Sequence, residues 1–192
     1  MTSVETPTMR GRVVAAALEL TVAEGWSAVT MSRVAERVGV SRQTVYNEVG
    51  SKPALAEAMV LTELERFLDV VVQAFDRHPR DLAAGVEAAV SGVLDLGRHS
   101  ELLRAILSGA DESSTGLLPP LSTDAGAVVD AARAVVVARL SAYDVDAPPR
   151  RVEAVADVLV RTVLSHVMSP SGTTARTAAD LAAIAAAALD PA

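Results

Sequence analysis

The chain has 192 residues, 51% of them hydrophobic but with only one Trp, two Tyr and two Phe, and it carries a formal net charge of −7. That length holds one domain or two small ones around a substantial core, which alanine, valine and leucine must pack. The absence of cysteine excludes disulfides, thiolate metal sites and cysteine nucleophiles, and the acidic total speaks against a generic nucleic-acid binder.

The charge is unevenly spread. Residues 1–57 hold six basic and six acidic side chains, so the whole excess lies in residues 58–192. A neutral head on an acidic body is compatible with DNA if one local face is right. No apolar run reaches the roughly 18–20 residues of a membrane span, and no signal-peptide pattern is present. The expectation is a soluble, cytoplasmic chain without a membrane partner.

Helical periodicity covers nearly the entire chain, and no segment alternates with the period of two expected of a strand. Residues 9–24 form the first predicted helix, with Val13, Val14, Ala17, Leu18 and Val22 along its stripe and Gly25 as its stop. Thr30 caps a short helix carrying Met31, Val34, Ala35 and Val38, ended by Gly39. Ser41 caps the next, with Val45 and Val49 inward, before Gly50. Ser51 opens a longer helix to about Asp76, in which Pro53 is tolerated because the first turn has no intrahelical amide bond to lose.

After "RHPRD", helices are expected over about 81–97 and 100–109, then an irregular loop, "GADESSTGLLPPLSTD". Three more follow, over about 123–142, 149–168 and 174–189, the last rich in alanine. The fold class expected is all-α, with nine helices.

Two short helices joined by the tight turn at Gly39-Val40 make a helix-turn-helix by length and punctuation. The second helix of such a unit lies in the major groove and presents side chains to base edges. With Val45 and Val49 inward, its outer face offers Arg42, Gln43, Thr44, Tyr46 and Asn47. Those are the side-chain types that read bases and hold phosphates.

The stretch "TMSRVAERVGVSRQTVYNEVGSKPAL" resembles the DNA-binding segment of the TetR/AcrR family of bacterial regulators. Thr30, Ala35, Gly39, Val40, Ser41, Tyr46, Ser51, Lys52 and Leu55 stand in register with the family's pattern. The resemblance implies a DNA-binding helix-turn-helix domain over residues 1–50 and a ligand-binding and dimerisation domain over 51–192. It places Lys52, the only lysine beside sixteen arginines, against a phosphate. Ser41, Thr44 and Tyr46 become backbone contacts, Arg42, Gln43 and Asn47 base-reading candidates, and Thr30 and Arg33 neighbours of flanking phosphates. The family places an aromatic residue where Val49 stands, so the expectation here is a loosely packed end to the recognition helix. Glu48 is expected to point sideways or to pair with an arginine.

The same resemblance implies a homodimer on a palindromic double-stranded DNA operator, with a four-helix interface built from the last two helices. Val155, Leu159, Val163, Leu181, Ile184 and Ala188 are its candidate residues, within an apolar surface on 149–168 that Val158, Val160 and Leu164 widen. An effector pocket would be lined by Met59, Phe67, Val71, Leu94, Leu103 and Leu107, with Thr62, Gln73, Tyr143 and His166 as polar contacts. Such a lining suits a hydrophobic small molecule.

No cofactor or metal is expected, because His78, His99 and His166 lack ligand spacing. No catalytic residues are expected either. Ser165 and His166 are adjacent on a helix and do not face each other, and neither a G-x-S-x-G elbow nor a phosphate-binding glycine loop is present. The function expected is a ligand-responsive repressor that releases its operator. The alternative is a helical ligand-binding or protein-interaction module that no longer engages DNA.

Overall fold

The structure, a computed structural model, describes residues 8–108 and 125–189. The described residues form nine α-helices and no strand: α1 (Met9–Glu24), α2 (Met31–Val38), α3 (Arg42–Val49), α4 (Lys52–Arg77), α5 (Leu82–His99), α6 (Glu101–Ser108), α7 (Ala125–Leu140), α8 (Pro149–Met168) and α9 (Thr174–Leu189). A 3-10 turn at Trp26–Ala28 lies between α1 and α2. The expected loop over 109–124 lies outside the described residues.

The chain groups into two compact units, and α4 contributes to both. Residues through Glu63 together with α6 make one unit, and Leu64–Ser100 with the chain from Ala125 onward makes the other. In the first unit α1 packs against α2, α3 and α6. Its core joins Val13, Ala17 and Leu20 of α1, Val34 of α2, Val45 and Val49 of α3, Leu55 and Met59 of α4, and Leu102 of α6.

Helix α1 departs from expectation at one position. Val22 is exposed, while Leu20 and Thr21 are buried. At about 100° per residue Val22 lies nearly opposite Val13, so one flat partner surface cannot cover both. Thr21 is accommodated by donating its hydroxyl to the Ala17 carbonyl at 2.7 Å.

In the second unit α9 packs on α5 and α8, and α8 packs on α5 and α7. Phe75 of α4, Val86 and Leu94 of α5, Leu140 of α7, Ala156 and Leu159 of α8, and Leu181 and Ala185 of α9 belong to its core. The small alanines of α9 bring the helices close, which explains how a core with so few aromatics closes. Tyr143 donates its hydroxyl to the His78 carbonyl at 2.6 Å and meets Phe75 edge-on, with ring centroids 6.1 Å apart. Gly85 makes room there, since a β-carbon on it would stand 2.8 Å from the Tyr143 hydroxyl.

The turn between α2 and α3 depends on a left-handed residue. Gly39 sits at φ 77°, ψ 38°. The amides of Gly39 and Val40 both reach the Ala35 carbonyl, at 2.9 and 3.0 Å, which closes the helix end in a Schellman arrangement. A β-carbon at Gly39 would meet nothing within 4 Å, so only backbone strain opposes a side chain there. Gly39→Ala should therefore cost about 1–2 kcal/mol in urea unfolding, and Gly39→Asn distinctly less, because asparagine visits this region more readily. Equal costs would indicate that the turn relaxes out of the left-handed region.

Candidate nucleic-acid interface

Local chemistry fixes both ends of α2 and α3. Thr30 caps α2 by accepting from the Arg33 amide at 3.2 Å. Ser41 caps α3 by accepting from the Thr44 amide at 3.0 Å, and its hydroxyl also meets that of Thr44 at 2.9 Å. Each cap satisfies an amide that the helix itself leaves unpaired. Val45 is completely buried, and Val49 is 4% exposed. The expected loose end at Val49 is thus corrected: the smaller side chain packs fully into the core.

With those two valines inward, Arg42, Gln43, Tyr46 and Asn47 are exposed and Thr44 is half-buried. Gln43 and Asn47 lie about 160° and 200° around the helix from Val45, at the centre of the outer face. The Gln43 side-chain amide Nε2 donates to the Asn47 side-chain oxygen Oδ1 at 2.9 Å. This bond orders both groups and leaves the Gln43 oxygen and the Asn47 amide free to turn outward. The Arg42 guanidinium lies 5.9 Å from the Tyr46 ring centroid, a cation–π distance. The outcome is a one-helix strip of exposed donors and acceptors.

The cations expected near phosphates already have internal partners. The Lys52 ammonium donates to the Trp26 carbonyl at 3.0 Å and sits 4.8 Å from the centroid of the indole ring. Burial lowers the pKa of its amine. Two of its three donor positions remain for an anion. Arg33 donates to the Ala28 carbonyl at 3.0 Å and pairs with Glu24. The hydrogen bond from Arg33 holds the Glu24 carboxyl below its ordinary pKa. The guanidinium keeps three further N–H donors for a flanking phosphate, with Glu24 offsetting its charge, and the hydroxyl of Thr30 keeps a proton to donate.

Two residues that sequence patterning passed over enter this region. Arg10 donates to the Glu48 carbonyl at 2.7 Å, and Arg12 to the Val38 carbonyl at 2.9 Å. The interaction at Glu48 is thus through its backbone carbonyl. A signal was present: two arginines in the first turn of a helix oppose its dipole, and such a placement asks for partners elsewhere.

The residues expected to line one effector pocket fall in both compact units. Met59 is 2% exposed in the core of the first unit, and Thr62 is exposed, with its hydroxyl bonded to the Ala58 carbonyl at 2.9 Å. Leu103 is half-buried in α6, and the Leu107 side chain lies outside the described residues. Val71 and Leu94 are core residues of the second unit, where Tyr143 packs and where Phe67 is half-buried. Leu94 and His166 share a shallow recess with Arg98, Val167 and Thr177, but it encloses only about 30 Å³. That is room for a water or two, far from the 300–1,000 Å³ typical of ligand sites.

The expected dimer residues also divide. Leu159 and Leu181 are buried in the protomer's own core, at 6% and 7% exposure. Val155, Val163 and Ala188 are half-buried, and Ile184 is 58% exposed. The wider apolar arc of α8 therefore faces inward. Val158, about 240° round from Val152, is 54% exposed and lies on the outer arc.

No helix among the described residues is long and apolar enough to cross a membrane, and those residues bring no three His, Asp or Glu side chains together as a metal site.

Comparison with known proteins agrees with this geometry. Residues 13–59 match the family of bacterial regulatory proteins, tetR family, and residues 81–187 match the bacterial tetracyclin repressor C-terminal domain. The chain is 30% identical over 177 residues to the HTH-type transcriptional regulator AlkX of Mycobacterium tuberculosis, covering 91% of this chain and 82% of that protein. The crystal structure of the TetR family repressor AlkX from Dietzia sp. strain DQ12-45-1b, implicated in biodegradation of n-alkanes, is also similar. It is 29% identical and superposes with a TM-score of 0.73, over 91% of this chain and 94% of that one. A transcriptional regulator from Rhodococcus sp. Rha1 shares the fold at 19% identity, with a TM-score of 0.63 over 96% of this chain and all of that one. With a matching N-terminal helix-turn-helix, a matching helical body and a relative spanning nearly its full length, the chain belongs to the TetR family of transcriptional regulators.

Proposed function

We propose that the chain is a homodimeric repressor that grips a palindromic operator with α3 and lets go when a small apolar effector enters the helical body. The observation that carries this reading is the outer face of α3. Gln43, Tyr46 and Asn47 are exposed, with Gln43 and Asn47 mutually ordered, while Val45 and Val49 are buried beneath them. Asparagine and glutamine pair with the N6/N7 edge of adenine, and arginine with the O6/N7 edge of guanine. Arg42, Gln43 and Asn47 take the base-reading role in this proposal. Thr30, Arg33, Ser41, Thr44, Tyr46 and Lys52 take the phosphate side.

Exposed Val158 and Ile184 on α8 and α9 support a self-association face, since a two-fold operator needs two heads about one helical turn of DNA apart. The effector would be of the alkyl-chain class. The apolar composition of the body supports this, as does the n-alkane context of the Dietzia relative. Release would follow from a higher affinity of the effector for the non-binding arrangement of the heads, since only differential affinity shifts such an equilibrium.

Selection of duplexes from a random pool by the full chain should enrich a palindrome. Asn47→Ala should then weaken binding to that palindrome by about 1–3 kcal/mol and relax preference at one base pair per half-site. Failure to enrich any duplex at moderate salt would instead favour a ligand-binding or protein-interaction module that has left DNA behind.

For the dimer, Val158→Asp with Ile184→Asp should convert two-chain particles to single chains in sedimentation, at a cost of about 2 kcal/mol or more per apolar anchor removed. Leu159→Ala should behave differently, lowering folding stability by about 2–5 kcal/mol through a cavity in the protomer core. A double variant that still sediments as two chains would move the interface off these helices.

A further inference from the structure

Helices α2 and α3 each end on carbonyl groups that no later turn of helix can satisfy. In this chain a guanidinium from α1 comes to each end. Arg10 donates to the carbonyl of Glu48, in the last turn of α3, at 2.7 Å, and Arg12 donates to the carbonyl of Val38, the last residue of α2, at 2.9 Å. Two residues apart on a helix means about 200° around it, so the two side chains leave α1 in different directions and reach different helices. Both bonds span large stretches of sequence, 38 and 26 residues. They therefore fix tertiary pose rather than local helix geometry.

The placement is costly where the arginines originate and favourable where they arrive. α1 has no acidic residue in its first turn, and positive charge there opposes the dipole of α1. At the C-terminal ends of α2 and α3 the same charges meet the negative pole, and charge-assisted bonds to carbonyls are stronger than neutral ones. The hydrophobic contacts beneath α3 are two valines. Valine contacts resist separation but are non-directional, so they restrain sliding of the helix along its axis weakly. A guanidinium bonded at its end supplies that direction.

We propose that Arg10 and Arg12 are positioning residues for DNA reading, clamping the carbonyl ends of the recognition helix and its partner so that the outer face of α3 is presented in one register. This rests on the DNA-reading role proposed above. It assigns to these two cations a task distinct from phosphate neutralisation, although both are exposed.

The two tasks separate in measurement. The probe is the duplex selected from a random pool by the unmodified chain, with a scrambled duplex of equal length as competitor, each titrated over a range of salt. For Arg10→Gln, clamping predicts a fall of roughly tenfold in the selected-to-scrambled affinity ratio, with the slope of log affinity against log salt unchanged. Phosphate neutralisation predicts the opposite: both duplexes weaken together, and the slope drops by about 0.9 for each phosphate no longer neutralised.

Amide hydrogen exchange on the DNA-free protein supplies the second readout. Arg10→Gln should speed exchange at Val49 and Gly50 about tenfold while leaving Val38 and Gly39 unchanged, and Arg12→Gln should do the reverse. Unchanged exchange at both ends, or an unchanged affinity ratio with a shallower slope, overturns the proposal. An unmodified chain that selects no duplex would overturn the DNA-reading role alone, and the exchange result would still decide whether the clamp exists.

Discussion

The burial of Val45 and Val49 against α1 and α2 is the contact on which the head depends. α3 is an eight-residue helix with only these two positions in the core, and an isolated helix of that length is unstable in water. Its helicity is therefore a property of the surface beneath it. Once the two valines are inward, the 3.6-residue period leaves Gln43 and Asn47 no direction but outward. Sequence, fold and chemistry are joined at that one patch: remove the valine contacts and the polar strip has no platform.

Electrostatics refine this picture. A chain with net charge −7 binds DNA against its own field, so every cation near α3 matters. Yet Arg10, Arg12, Arg33 and Lys52 all donate to backbone carbonyls within the head, and Arg33 and Arg37 pair with Glu24 and Glu19. Bonds to neutral carbonyls orient Arg10, Arg12 and Lys52 without cancelling their charge, whereas the carboxylates of Glu24 and Glu19 offset that of Arg33 and Arg37. The acidic excess of residues 58–192 opposes attraction to an arbitrary duplex.

Much of the fold is legible from the sequence because its punctuation is local. Pro149 in the first turn of α8 and the Pro170–Gly172 break after it fix that helix at the bounds expected, 149–168, and α9 follows at 174–189. Thr30, Gly39 and Ser41 act as read, since a cap or a left-handed turn needs only its neighbours. What escapes is tertiary. Periodicity ranks the apolar arcs of α8 but does not say which one meets the chain's own core, and Leu159 and Leu181, expected at an interface, are buried within the protomer. Val22 shares the composition of its stripe but lies on the far side of it. Met59 and Val71 belong to one helix yet pack in separate cores, since α4 serves both units. The guanidinium bonds of Arg10 and Arg12 bridge distant positions, which no spacing rule on a single sequence encodes.

The regulatory role proposed for this chain requires DNA to meet the outer flank of α3. Titrating isotope-labelled full chain with a selected duplex, and following backbone and side-chain amide signals by NMR, would show whether it does. The largest shifts should fall on Ser41–Asn47, with the side-chain amides of Gln43 and Asn47 among them and the signals of α8 and α9 hardly moved. Shifts concentrated on the body, with the α3 signals unmoved at saturation, would contradict it.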